Sequence, residues 1–262
     1  MVALLESEPR FEVAAPPVKR CNLLLHCGAY QVERPDVEKV DTPDPSSTWY
    51  PLAHDEVLRQ TEAQIKAAGL TILSEAHALS HGGNRYFGLM EVGFEGKIHD
   101  EWGWVVGIRN SHDKRFPAGL VAGSQVLVCD NLSFNGEIGF GRKHTRFIRR
   151  DLPWMIAESV ETLLVNWKRL ESRFEDYRCE FITEMEVHDL MVRAVDAEVI
   201  PVTMLPKVLE EWRNPSYEAF MGRSLWSLFN AFTHTLKGSN LNQLPRRTTA
   251  LHGLLDHAIG LN

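Results

Sequence analysis

Five cations fall within nine positions of this 262-residue sequence: Arg142, Lys143, Arg146, Arg149 and Arg150, in "RKHTRFIRRD". His144 and Phe147 are interleaved with them. Cationic side chains at that density neutralise phosphates, and an aromatic ring among them offers a face on which an unpaired base can stack. The combination points to single-stranded nucleic acid. The competing reading is a solvated face that offsets nearby acids. The run leads into a helical pattern whose first turn should offer unpaired N–H groups, a further attraction for phosphate. Arg246 and Arg247 would add to such a surface. The chain as a whole carries a net charge of −7, so any polyanion affinity must come from this local stripe.

Histidine and aspartate supply the second set of candidates. Four His-Asp dyads occur, His54-Asp55, His99-Asp100, His112-Asp113 and His188-Asp189. Composition alone gives about half of one by chance. Such dyads ligate metal in some phosphohydrolases, where they lie on helices of an all-helical domain. Here one opens a helix, one lies inside a helix and two flank strands. The simpler reading is turn and first-turn aspartates beside surface histidines. Ser111-His112-Asp113 is not a catalytic triad, because adjacent residues do not place an imidazole between serine and carboxylate. Asn, Ser and Asp in Asn110–Pro117 instead read as a loop that bonds to nearby backbone. His252, Asp256 and His234 could meet on the last two helices, but an i, i+4 pair arises often by accident. "HGGN" is too short for a phosphate loop, and no Walker or Rossmann glycine pattern is present. No catalytic residue is assigned, and neither a metal nor a cofactor is expected.

The elements that must position these residues follow from periodicity. "AHDEVLRQTEAQIKAAG" reads as a helix with acids in its first turn and Gly69 beyond its end. The preceding Arg34–Pro51 is rich in Pro, Asp and Ser and reads as an extended connector. "CNLLLHCGAYQV" is a short strand candidate. "LTILSEAHAL" and "RYFGLMEVGF" flank "SHGGN", a hairpin turn. "EWGWVVGIRN" and "AGLVAGSQVLVCDN" are nearly continuous apolar runs, suited to strands buried on both faces. "NLSF-NG-EIGF" reads as a tight hairpin, since Asn135-Gly136 accepts a type I′ turn.

From Asp151 the period changes. Val160, Leu163, Leu164, Trp167, Leu170, Phe174 and Tyr177 trace one face of a long helix. Thr183 and Glu186 have capping-box spacing for a second. Further helices are expected over about Met204–Trp212, after Asn214-Pro215, and over about Thr248–Ile259. The fold class is α+β: an antiparallel sheet of about five to six strands, then a long helix and a C-terminal helical bundle. Residues 1–50 form an arm and connector. Residues 51–182 form the sheet core with the first and long helices. Residues 183–262 form a helical subdomain packed on the core. The tryptophans, Trp154 included, mostly fall at core spacing.

Pairing Trp102–Arg109 with Ala118–Asp130 puts His112 at one end of the sheet and Cys129 near the other. Their Cα separation should exceed roughly 20 Å at the rise of a strand. His99 and Asp100 are then the nearer neighbours of Cys129, Asp130 and Asn131. Cys21, Cys27, Cys129 and Cys179 have no zinc-site spacing and read as free thiols. The N-terminal residues lack a signal-peptide pattern, and no apolar run approaches a membrane span. A cytoplasmic protein without membrane contact is expected.

One ordered series of motifs carries a resemblance. "WYPLAHDEVLRQTEAQIKAAGL", "EAHALSHGGNRYFGLMEV", "GIRNSHDKRFPAGLVAGSQVLVCDNLSFNGE", "RKHT" and "LWSLFNAFTHTLKG" resemble the domain-of-unknown-function family numbered 932, the phage/plasmid-like proteins. The likeness covers about Trp49 to Gly238. Its most specific parts are Asn110, His112 and Asp113, and Cys129, Asp130 and Asn131. Many members carry a small residue where this chain has Lys114. The resemblance implies a cytoplasmic protein linked to mobile genetic elements and transfers no catalytic residue. A sheet followed by a long helix is also broadly similar to phage single-strand annealing proteins, by fold analogy alone.

Three functions are therefore carried forward. The first is a non-enzymatic protein of mobile-element replication or recombination that binds single-stranded nucleic acid through the basic run, as a homo-oligomer in one version. The second is a metal-dependent nuclease or phosphohydrolase using His99 and Asp100 or another of the His-Asp dyads. The third is a protein-interaction module, such as a host-defence antagonist.

Overall fold

The computed structural model describes residues 29–94, 102–126, 131–237, 239 and 243–261. Cys21, Cys27, His99, Asp100, Cys129 and Asp130 lie outside the described residues, and so does the expected His112–Cys129 separation.

The sheet is a six-stranded antiparallel meander in sequence order: β1 (Tyr30–Val32), β2 (Leu70–Ser80), β3 (Arg85–Phe94), β4 (Trp102–Ser111), β5 (Ala118–Val126) and β6 (Asn131–Arg142). Among the described residues, two α-helices precede β2, α1 (Arg34–Glu38) and α2 (His54–Ala67). Five follow the sheet: α3 (Ile148–Cys179), α4 (Glu184–Asp196), α5 (Leu205–Arg213), α6 (Leu225–Leu236) and α7 (Leu244–Ala258). The α+β architecture read from the sequence is thus present. Among the described residues, no helix is long and apolar enough to cross a membrane.

Local chemistry accounts for most boundaries. Gly69 ends α2 at φ +79°, as expected of a residue beyond a helix terminus. The β2–β3 turn places His81, Gly82 and Gly83 at positive φ, which the two glycines accept without steric cost. Thr183 caps α4, accepting from the Glu186 N–H while the Glu186 carboxylate takes the Thr183 N–H at 2.7 Å. In β4, Trp104, Val105 and Val106 are consecutive and all buried. Successive strand residues point to opposite faces, so both faces are shielded there. On α3, Ile148, Leu152, Ile156, Val160, Leu163, Trp167, Leu170, Phe174 and Tyr177 form one buried stripe of the kind a core-facing helix carries. That stripe lies against β5, β6, α2 and α6.

Three expectations need correction. Asn135-Gly136 is not a hairpin turn but lies inside β6. Ala122 pairs with Asn135 and Val121 with Gly139, so the residues between them form an irregularity on the β6 side. The apolar β5 run offers both halves of the segment a better partner than each other. The connector is not wholly extended: Glu33 and Asp36 form a capping box and Pro35 starts α1. Finally, α6 begins at Ser224, whose hydroxyl accepts from Ser227 N–H, rather than directly after Pro215.

Candidate functional site

One end of the sheet collects most of the residues singled out above. Ser80 faces Arg85 across the β2–β3 turn, and Arg85 faces Ser111 at the end of β4. Ala118, the first residue of β5, faces Arg142, the last of β6. The 112–117 loop and the basic run therefore leave the sheet side by side. At the opposite end, Trp102 pairs with Val126, and Val126 with Asn131. Asn131, the described member of the Cys129–Asn131 run, therefore lies at the end of the sheet opposite Asn110 and His112.

Beneath the basic end lies a histidine cluster that the sequence did not announce. The segment leading into α2 crosses it at Leu52, and three side chains hold that residue's peptide groups. The Asn110 amide donates to the Leu52 carbonyl at 2.9 Å, and His112 Nε2 donates to the same oxygen at 2.8 Å. The Leu52 N–H donates to His144 Nδ1 at 3.3 Å. The Asn110 amide also reaches His54 Nδ1 at 3.0 Å, and His54 Nε2 meets the Gly83 carbonyl at 2.9 Å. The His54 and His112 rings stack at 3.9 Å, nearly parallel.

The partners assign the protons. A carbonyl can only accept and a peptide N–H can only donate. His112 and His54 therefore carry hydrogen on Nε2, while His144 Nδ1 and His54 Nδ1 accept. The His54 and His144 rings are therefore neutral. Their electrostatics agree. Burial first, and His112 second, holds His54 down to about 3. Burial likewise holds His144 to about 4. It lowers His112 against the opposing pull of the Leu52 and Asp41 carbonyls. Neutral imidazoles committed to backbone groups are clamps, not acid–base catalysts for neutral pH.

The expectation of surface histidines at His54 and His112 is therefore wrong: both are buried. Asn110 does not serve its own loop either, but fixes backbone 58 residues away. The other loop residues do bond locally. The Ser111 hydroxyl donates to the Phe116 carbonyl, and Asp113 accepts from Arg115 N–H and from Arg85. Asn110→Ala should cost about 2 kcal/mol, because it leaves the His54 Nδ1 acceptor buried without its donor. A urea midpoint unchanged from wild type would refute the clamp.

Above the cluster, the basic run divides into tied and available cations. Asp151 accepts from Arg142 at 2.6 Å and Arg150 at 2.8 Å, and the two guanidiniums, Arg150 first, hold its carboxyl below the usual range. Arg149 reaches Glu56 on α2 at 3.3 Å. Lys143 and Arg146 are exposed, and neither forms an ion pair among the described residues. Arg146 and Arg150 lie over the Phe147 ring, at 4.4 and 4.5 Å from its centroid. Lys114, exposed at φ +62°, sits 4.8 Å over Trp49, whose ring lies 6.2 Å from that of His144. Arg115 is exposed on the same loop. The 112–117 loop thus extends the basic surface.

Two aspects of this surface differ from expectation. The first turn of α3 is not a row of free donors. Ile148 N–H bonds to the Thr145 carbonyl, and the N–H groups of Arg150 and Asp151 bond to that of Phe147. Attraction for phosphate must therefore rest on side chains. Trp154, placed by spacing among core tryptophans, is 55 % exposed, whereas Trp104, Trp167, Trp212 and Trp226 are buried. Its position could have warned of this, since it falls midway between Leu152 and Ile156 and so points away from their stripe.

The remaining candidates do not converge. Among the described residues, no group of three His, Cys, Asp or Glu side chains is placed to hold a metal ion. His252 meets the Tyr177 hydroxyl and Asp256 pairs with Arg173, while His234 lies 3.8 Å from Glu211. His188 is exposed beside Glu184 and Arg213. Arg246 and Arg247 are engaged by Glu198 and Ser239 rather than joining the run. A cleft of about 380 Å³ lined by Trp212, Arg213, Met221 and Arg223 has its charge spent, both arginines pairing with Glu184. No family model, curated protein or solved structure matches the chain.

Proposed function

We propose that the chain binds single-stranded nucleic acid at the basic end of its sheet, as a non-enzymatic protein of mobile-element replication or recombination. The resemblance to phage/plasmid-like proteins supplies the biological setting. The observation that carries the reading is an exposed aromatic, Phe147, flanked by the guanidiniums of Arg146 and Arg150 on an otherwise acidic molecule. Lys143 and Arg149 widen the surface on one side, and Lys114 and Arg115 on the other. Guanidiniums stacked over a ring offer a base a planar cationic face beside the charges that hold the backbone, which a merely solvated charge run does not.

The test is a titration with a labelled oligothymidylate at two salt concentrations. If Lys114, Arg115, Lys143 and Arg146, the exposed cations with no ion pair among the described residues, each neutralise a phosphate, log K should fall with log salt at a slope of roughly −3. That corresponds to about 50-fold between 50 and 200 mM. Lys143→Glu with Arg146→Glu, which breaks no ion pair among the described residues, should weaken binding at least tenfold at the lower salt. Unchanged affinity in that double variant rejects the proposal.

A protein-interaction module has its own support. Phe181, just before α4, and Met185, in its first turn, are 74 % and 82 % exposed. Such residues mark an interaction surface where they join into a contiguous apolar patch. Light scattering on purified wild type and Phe181→Ser reads whether a second copy covers them.

A further inference from the structure

We infer that Phe147 and Trp154 form a two-ring stacking platform for unpaired bases, making the basic end selective for single strands over duplex. The inference rests on the nucleic-acid reading and deepens it. Phe147 is the N-cap of α3 and Trp154 follows seven residues later, two helical turns along the same face. The rings are separated along the axis by about 10 Å at the helical rise, close to three rises of a stacked strand. Both are exposed, at 40 % and 55 %. Arg150 lies between them on that face, 70 % exposed, paired with Asp151 and with its guanidinium over the Phe147 ring, so a base at that end stacks on the guanidinium plane over the ring.

The boundaries of the platform support the same ligand. Towards the sheet, the surface continues into Arg146 and Lys143. Beyond Trp154, the next exposed positions on the face are Glu158 and Glu161. Acids repel a polyanion, so the favourable surface ends one turn past the tryptophan. The contact is short, a few nucleotides rather than a long track. Pro153, in the second turn of α3, has no N–H to donate to the Arg149 carbonyl and can turn the local axis beside Trp154. Two exposed aromatic side chains serve no core function here, since the buried stripe of α3 runs along the other face. Base stacking explains why such residues would be flanked by cations. Duplex DNA has its base faces occupied and can engage only the charges.

The experiment compares wild type, Phe147→Ala with Trp154→Ala, and the Lys143→Glu with Arg146→Glu variant. Each is titrated with oligothymidylate, with duplex of equal length and with polyglutamate. Wild type should prefer the single strand by at least tenfold. The alanine pair should lose at least tenfold for the single strand, keep its duplex affinity and keep the salt slope. Both alanine positions are exposed, so unchanged thermal unfolding separates lost stacking from lost fold. Single-strand affinity unaltered by the alanine pair overturns the platform while leaving a charge-based site standing. Binding unaltered by charge reversal, or no nucleic-acid binding by wild type, overturns the underlying reading and this inference with it. Equal affinity for polyglutamate also overturns it, assigning the surface to acidic peptides.

Discussion

Stability should fall steeply between pH 6.5 and pH 4, with loss of the native fold in the range of about pH 4 to 5.5. His54, His144 and His252 are buried and held to about 3, 4 and 3. Their ordinary value is 6.5. The unfolded chain therefore binds protons that the folded chain refuses. Stability is full above 6.5 and drains as pH falls towards the folded-state values. Each histidine forfeits about 2 kcal/mol by pH 5, so the three forfeit about 6 kcal/mol. His112, also lowered by burial, adds in the same direction. Domains are stable by only about 5–15 kcal/mol, so this loss reaches the scale of the whole fold.

The contacts give the same sign. A proton on His144 Nδ1 would face the Leu52 N–H, and one on His54 Nδ1 would face the Asn110 amide. Carboxylates cannot mimic the effect in this window. Glu75, held to about 2 by His77 first and then Arg34, is lost only as pH falls below about 4.5. Urea unfolding at steps from pH 8 to 4.5 should show a slope approaching about 4 kcal/mol per pH unit below pH 6. His252→Gln should reduce that slope by roughly one proton's share. A flat profile from pH 7 to 5 would refute neutral buried histidines.

The histidine clamp also marks the limit of what the sequence could show. The helices and strands were legible because their apolar residues recur at periods of 3.6 and 2, and the β2–β3 turn because Gly82-Gly83 permits positive φ. The basic run was legible because its members are neighbours in the chain. Asn110, His112, His54 and His144 are brought together from three separate segments, and Asn110 lies 58 residues from the carbonyl it holds. No local pattern reports such a meeting. Asn110 as a loop residue and His54 and His112 as surface histidines have ordinary explanations, and all three were wrong. The Asn135-Gly136 error has another cause. A turn propensity is local, whereas β5 offers a long apolar partner strand, and tertiary pairing overrode the dipeptide. Trp154 differs from both, since its angular position relative to Leu152 and Ile156 was already in the sequence.

Replacing Asp256 should destabilise the protein by about 3 kcal/mol or more, the cost of leaving a mostly buried charge without its partner. Asp256 on α7 accepts from the Tyr177 hydroxyl at 2.6 Å and from Arg173 at 2.9 Å, both on α3. The Arg173 and Asp256 side chains are only 14 % and 15 % exposed. His252 completes the group 3.3 Å from the Tyr177 hydroxyl, its ring packed against Phe174 and Phe229. The Tyr177 hydroxyl, already buried, is pushed further up by the Asp256 charge, so it stays a donor. Asp256→Asn keeps the shape and an acceptor for Tyr177 but strands the Arg173 charge. Arg173→Met strands the carboxylate instead. Combining Asp256→Leu with Arg173→Met removes both charges and should restore most of the loss, because an apolar pair of similar volume carries no desolvation penalty. A double-mutant cycle by urea unfolding should return a coupling of about 2 kcal/mol or more. Additive effects would show that α7 is held to α3 by its apolar face alone. Hydrogen exchange offers a second measurement. In either single variant, α7 should lose protection ahead of the sheet, because this polar group is where its last turns meet the long helix.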